Sequence, residues 1–251
     1  MLKWNGIDVC GKIRPTQEEV ELLGPEFSQA WQRDFADSPS RPLVLVGWIS
    51  RAWRKLSEPA GQYITACAYS AYPQSRGSIH VTGTSVSDPV NLETGYFSDS
   101  EGFDIKTHVW AYKKQREIMR RTKMYRGETQ AGHPRFPKGS EAACVDLRAT
   151  GALQNPVDLR YTAEDDEAIM EYLREVIGST WHSLGTAKMA PREEGGVVDA
   201  DLNVYGVSGL KCCDLSIVPK NVGANTANTA FAIGEKCADL IMQELGFASS
   251  V

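Results

Sequence analysis

The 251-residue sequence lacks any apolar run approaching the ~18 residues of a membrane span, so no membrane partner is expected. It lacks an excess of positive charge. Its 27 Lys and Arg against 32 Asp and Glu give a formal net charge of -5, which argues against nucleic acid, a ligand that binds basic faces. No apolar h-region follows Met1-Leu2-Lys3, so no signal peptide is expected, and Ser249-Ser250-Val251 is not a clear peroxisomal tail. The six cysteines form no Cys-x-x-Cys pair, which argues against a zinc ribbon or a thioredoxin motif and leaves no metal site expected. Cys67, on a strand-like run, and Cys237, on a helical one, read as buried thiols in a reducing, intracellular compartment. Finally, there is no Gly-x-Gly-x-x-Gly, the turn whose glycines let backbone and a helix N-terminus approach a dinucleotide pyrophosphate.

What is present is enough for a packed core: 42% hydrophobic and 24% charged residues, an ordinary balance for a soluble globular chain. Residues 1–14 show no clear period. Thr16-Gln17-Glu18-Glu19 is a capping box that opens a short helix, and Pro25 opens a second, with Phe27, Ala30, Trp31 and Phe35 at core spacing. Branched residues over 43–49, and looser alternation over 63–72 and 78–84, predict an antiparallel meander, with His80 facing solvent and Trp53 on the loop between the first two strands. A helical period runs over 103–125. Its basic end, Lys113, Lys114, Arg116, Arg120 and Arg121, reads as a solvated face favoured by the helix dipole. Residues 127–160 form a long irregular loop of the kind used as a lid or binding loop, with His133 as a secondary candidate for chemistry. Thr162 caps the next helix. The acidic cluster 164–167 reads as first-turn charge, not as a metal site. Residues 210–217 predict a buried strand. Residues 226–245 predict an amphipathic helix with Ala230, Ile233, Cys237, Leu240 and Ile241 inward.

Two stretches organise the chemistry. Thr180-Trp181-His182-Ser183-Leu184-Gly185-Thr186 places an imidazole before a small turn, and imidazole exchanges a proton near neutral pH. Asn221-Val222-Gly223-Ala224-Asn225-Thr226 places an amide at the mouth of the last helix, where it can donate to developing negative charge. His182 and Asn225 are the catalytic candidates.

The run from Trp181 to Leu240 resembles the C-terminal signature of the glucose–methanol–choline (GMC) flavoprotein oxidoreductases, and within them the fungal alcohol oxidases. Val197-Val198-Asp199, Leu202-Asn203-Val204-Tyr205-Gly206-Val207, Asp214-Leu215-Ser216, Pro219, Asn225-Thr226 and Gly234-Glu235 fall in the family's order. So do Lys12-Ile13-Arg14-Pro15-Thr16 and 72–80 earlier in the chain. The resemblance implies an α+β fold: an antiparallel sheet with helices on one side over 1–180, and a C-terminal signature segment over 181–251 with a strand and helix of the cofactor domain. It also implies a base at His182, a substrate-hydroxyl partner at Asn225, and flavin contacts at Asp214 and Thr226 where a flavin is bound.

With the pyrophosphate turn missing, no cofactor is expected of this chain alone, and FAD only if another chain supplies the dinucleotide-binding domain. The reading placed first is a flavin-independent enzyme of isomerase, lyase or cyclase type acting on a small apolar metabolite. The alternative is one part of a split FAD-dependent alcohol oxidase. A non-catalytic scaffold is the third. An apolar face made to be covered predicts a homodimer. The expected location is cytoplasmic or peroxisomal.

Overall fold

The computed structural model describes residues 6–51 and 61–247; the readings at the N-terminus, at Trp53 and at the C-terminal tail lie outside them. Contacts divide the chain into two units, Met1–Arg76 with Tyr96–Ile177, and Gly77–Gly95 with Gly178–Val251.

The first unit is a three-stranded antiparallel sheet with helices against it. Strand β1 (Ile7–Ile13) precedes helices α1 (Gln17–Leu22) and α2 (Pro25–Trp31). Strands β2 (Val44–Ile49) and β3 (Thr65–Ser70) complete the order β1-β2-β3. The capping box at Thr16 and Glu19 forms in both directions, which satisfies two of the amides a helix start leaves unbonded. Strand β1 corrects the expectation of no regular structure at the N-terminus. Its pairing with β2, with a register shift between Ile7 and Val9, defines it. Ile7 and Val9 are both exposed, while Ile13 at the strand's end packs against the core.

Phe27, Ala30, Trp31 and Phe35 are buried as expected, with Val44 and Val46 of the sheet. Phe103 stacks on both Phe27 and Phe35, at 4.6 and 5.7 Å between ring centroids. Phe35 itself lies in a π-helical turn, 32–36. Arg14 ties that turn down by donating to the carbonyls of Phe35 and Ser38, each at 2.9 Å.

The meander does not extend past β3. Strand β4 (Ser78–His80) instead pairs with β5 (Asn91–Glu93) as a separate hairpin in the second unit, all of it exposed. Cys67 also departs from expectation. It is exposed on the edge strand β3, with its thiol directed to the Gly47 carbonyl.

Helix α3 (Phe103–Arg120) carries the largest correction. Its basic end is only in part the expected solvated face: Arg121 is exposed and Lys113 and Lys114 half-buried, but Arg116 and Arg120 are buried. Arg116 makes a bidentate pair with Glu128, both bonds 2.6 Å, with side chains only 3% and 6% exposed. Glu128 comes from the irregular loop. Gly127 before it has φ +97, and a Cβ there would lie 2.0 Å from the Val145 carbonyl oxygen, so only glycine permits this close approach. Burial pushes the Glu128 carboxyl up, but the hydrogen bonds and charge of Arg116 outweigh it and hold the carboxyl below its usual range.

His133 belongs to the same network. Tyr112 Oη lies 2.7 Å from its Nδ1, and burial pulls its imidazole down to about 4. The phenol therefore shares a hydrogen bond with a neutral ring. Helix α4 (Ala163–Val176) begins at the Thr162–Asp165 capping box with its acidic residues in the first turn, as expected, and packs Ile169 and Leu173 against Ile105 and Val109.

Two outcomes follow from this buried polar network. Glu128→Gln strands a buried guanidinium, and urea unfolding is expected to show a loss of roughly 3–5 kcal/mol; a loss of under about 1 kcal/mol would mean the pair is effectively solvated. For His133 the unfolded ring titrates near ~6.5 and the folded one at about 4. Between those values the unfolded chain binds the extra proton, so stability falls as pH falls through the window. The gap is worth about 3 kcal/mol. Denaturation from pH about 7 to about 4 should show wild type losing more stability than His133→Asn, and parallel curves would contradict this.

Candidate functional site

The four expected site residues lie in the second unit, around a small core of Val198, Leu202, Ile217, Cys237 and Leu240. Each of these is at most 9% exposed, and burying such a side chain contributes about 1.5–3 kcal/mol. Residues 210–217 are not the expected strand. Leu210 is 48% exposed, Lys211 makes a single bridge to Asn203, and 215–217 close a 3-10 turn. Within the stretch Ile217 is buried in the core and Cys212 packs partly against it, while Leu210 and Cys213 face solvent.

Asp214 caps that turn. Its carboxylate accepts the Ser216 amide at 2.8 Å, and hydrogen bonding from the Ser216 side chain first, and from this amide second, holds the carboxyl below its usual range. The segment after His182 is then laced to the turn. The amides of Gly185, Ala187 and Met189 donate to the carbonyls of Leu215, Ser216 and Ile217 at 3.2, 2.9 and 2.7 Å. Gly185 has φ +82, and a Cβ on it would sit 3.1 Å from the Val218 carbonyl oxygen. The glycine of the turn is therefore required by the backbone.

His182 is half-buried, with Nδ1 2.9 Å from Thr180 Oγ1. Trp181 before it is 79% exposed and has φ +59. A bulky residue in the left-handed region costs free energy that the surrounding fold must supply, and such outliers gather at functional sites.

Helix α5 (Ala227–Glu244) follows from the other side of the core, with Cys237 and Leu240 buried as expected. Ile241, expected inward, is 40% exposed. Thr226 is 4% exposed at the N-cap but makes no side-chain cap bond, so the amides of the first turn keep their partial positive charge without a hydroxyl cap. Asn225 is exposed immediately before it. Thus His182 and Asp214 are held by one main-chain ladder, and Asn225 and Thr226 by the helix packed on the same core. His133 stands apart, in the first unit.

Sequence reading missed the tethers of this site. Lys211 reaches the Asp201 carbonyl at 2.9 Å, Asn203 Oδ1 at 2.8 Å and Glu244 at 2.6 Å, joining the loop after Asp199 to the end of α5. The alternation Asp199-x-Asp201-x-Asn203 is the signal that could have found it, since such side chains fold loops by accepting nearby amides. Asp199 does so from Asp201 and Asn203, both at 2.9 Å. Among the described residues no group of three or more His, Cys, Asp or Glu could hold a metal ion, and no helix is long and apolar enough to cross a membrane.

The profile of the GMC oxidoreductase family matches residues 73–234. Alcohol oxidase of Pichia angusta is 36% identical over 99% of this chain and 44% of its own length, and alcohol oxidase of Candida boidinii is 36% identical with the same coverage. Among solved structures, an FAD-dependent oxidoreductase from Chaetomium thermophilum is 25% identical. It superposes with a TM-score of 0.60 over 94% of this chain and 34% of that one. The chain spans less than half the length of the curated relatives it matches.

Proposed function

The chain belongs to the GMC oxidoreductase family, and on that premise we propose that it supplies the proton-handling part of an FAD-dependent alcohol oxidase or dehydrogenase whose dinucleotide-binding part is other polypeptide. The supporting observation is the pairing of coverages: the alcohol oxidases align with 99% of this chain but only 44% of themselves. Because the relatives are oxidases, this reading displaces the flavin-independent isomerase, lyase or cyclase that the sequence alone puts first.

The residues present fit one end of FAD. Exposed Asn225, the uncapped first turn of α5 and the exposed Asp214 carboxylate offer polar partners to its ring and ribityl portion. No glycine-rich turn for the pyrophosphate occurs in the sequence. Bound FAD would supply the hydride acceptor there. The chain's own work is proton transfer and positioning. His182, oriented through Nδ1 by Thr180, would take the hydroxyl proton of a small alcohol at Nε2. The Asn225 amide would donate to the same oxygen as its negative charge grows.

Exposed apolar side chains of the second unit favour a cover. Trp181, Phe231 and Leu245 are 79%, 73% and 67% exposed, and large apolar side chains in water are what a cover would bury. The proposed occupant is the flavin-binding polypeptide; a second copy of this chain is the other outcome of the test below.

Co-expression with the FAD-binding portion of an alcohol oxidase should give a complex that stays yellow on gel filtration, with flavin bands between about 350 and 500 nm, and oxidises short alcohols. His182→Ala should then lower kcat by roughly 10²–10⁴-fold while the colour remains. A colourless homodimer that ignores the FAD-binding portion, or a His182→Ala complex of full activity, overturns the reading.

A further inference from the structure

Two hydroxyls stand directly before the candidate imidazole, and they do different work. Ser179 Oγ accepts the Trp181 amide at 2.8 Å, two residues on, the bond of a serine turn. Trp181 stands at φ +59, a conformation that a bulky side chain adopts only at a cost, and this bond helps to hold it there. The turn places His182 beside Thr180, with Nδ1 2.9 Å from Thr180 Oγ1. Downstream, the Gly185 amide opens the main-chain ladder at the Leu215 carbonyl, 3.2 Å away. The imidazole is thus bracketed on both sides along the chain.

Two protonation patterns satisfy the contact between Thr180 and His182. In one the ring donates from Nδ1 and the hydroxyl accepts. In the other the hydroxyl donates, and the proton of the neutral ring sits on Nε2. Only the first leaves a lone pair at Nε2, the atom that takes the alcohol proton in the proposed reaction. A neutral imidazole side chain free in water prefers the second. Threonine suits the task of reversing that preference, because branching at Cβ restricts χ1 and so fixes where the hydroxyl stands.

We propose that Ser179 and Thr180 are positioning residues that set His182 as the Nδ1-protonated tautomer in the chain itself, before any flavin or alcohol arrives. This rests on His182 being the proton acceptor of the proposed oxidase. Thr180 acts on the ring by accepting its N–H. Ser179 acts one step back, on the left-handed residue that aims the ring at Thr180. Neither is assigned a contact with the reacting atoms, so each works through His182 alone.

The test is nitrogen NMR of the histidine rings in the isotope-labelled full chain at pH about 9, where imidazoles are ordinarily neutral. The sequence has four histidines, and the signals lost in His182→Asn assign the ring. Wild type should carry the proton on Nδ1. Thr180→Val keeps the shape and removes the acceptor, and should move the proton to Nε2 as the major form. Thr180→Ser should keep it on Nδ1. Ser179→Ala should move part of the population the same way as Thr180→Val. A wild-type ring protonated on Nε2, or a Thr180→Val ring unchanged from wild type, overturns the proposal; a ring unmoved by Ser179→Ala removes Ser179 from it. The readout needs neither flavin nor turnover. A complex that never turns yellow therefore removes the oxidase reading and leaves the tautomer result standing, whereas an Nε2-protonated wild-type ring removes the positioning role even in an active complex.

Discussion

Three main-chain hydrogen bonds, from Gly185, Ala187 and Met189 to Leu215, Ser216 and Ile217, fix the frame that carries the candidate site residues of the second unit. They bind the segment that follows His182 to the turn that Asp214 caps. That turn in turn buries Ile217 against Cys237 and Leu240 of α5. The helix whose N-terminus presents Asn225 and Thr226 is therefore seated on the same few apolar side chains. A backbone ladder is suited to this task because its donors and acceptors are obligatory: leaving them unpaired in a buried place costs about as much as a lost hydrogen bond. The strained Trp181 next to His182 is tolerated because this ladder and core over-determine the segment.

The first unit solves a different problem. Its long irregular loop brings no continuous hydrogen-bonded structure of its own, apart from a bridge between Gly127 and Asp146 and a short 3-10 turn. It is held instead by polar side chains sent down from helices: Arg116 to Glu128, Tyr112 to His133, and Tyr172 to the Gly132 carbonyl at 2.9 Å. Such a network is costly when half-made, because a buried charge without its partner has no water to turn to. Complete, it fixes one conformation of a segment that the hydrophobic effect alone would leave loose.

The polar surface of the second unit and its exposed aromatic side chains belong together in one functional account. The family is that of an oxidoreductase whose relatives are more than twice as long, and large apolar side chains facing water are the expected mark of a surface that meets other polypeptide. Lys211, bonded to Asn203 and Glu244, and Cys237, buried in the core, hold the second unit in shape.

The sequence by itself determined the helices, the aromatic core and the candidate residues, because each has a local cause. The capping boxes at Thr16 and Thr162, the 3.6-residue spacing of Phe27, Ala30 and Trp31, and the order of motifs from Trp181 to Glu235 are all written within short stretches. Tertiary structure alone decided the rest. Strand β1 exists through its partner β2: Ile7 and Val9 are exposed, so pairing, not burial of those side chains, holds it. Residues 210–217 hold strand-forming side chains but no neighbouring strand, so they fold as a bridge and a turn. Arg116 and Arg120 look like solvent residues until distant Glu128 and the Val157 carbonyl are brought to them. Pairing and burial of charge depend on residues far apart in the chain, and local propensity carries no information about such encounters.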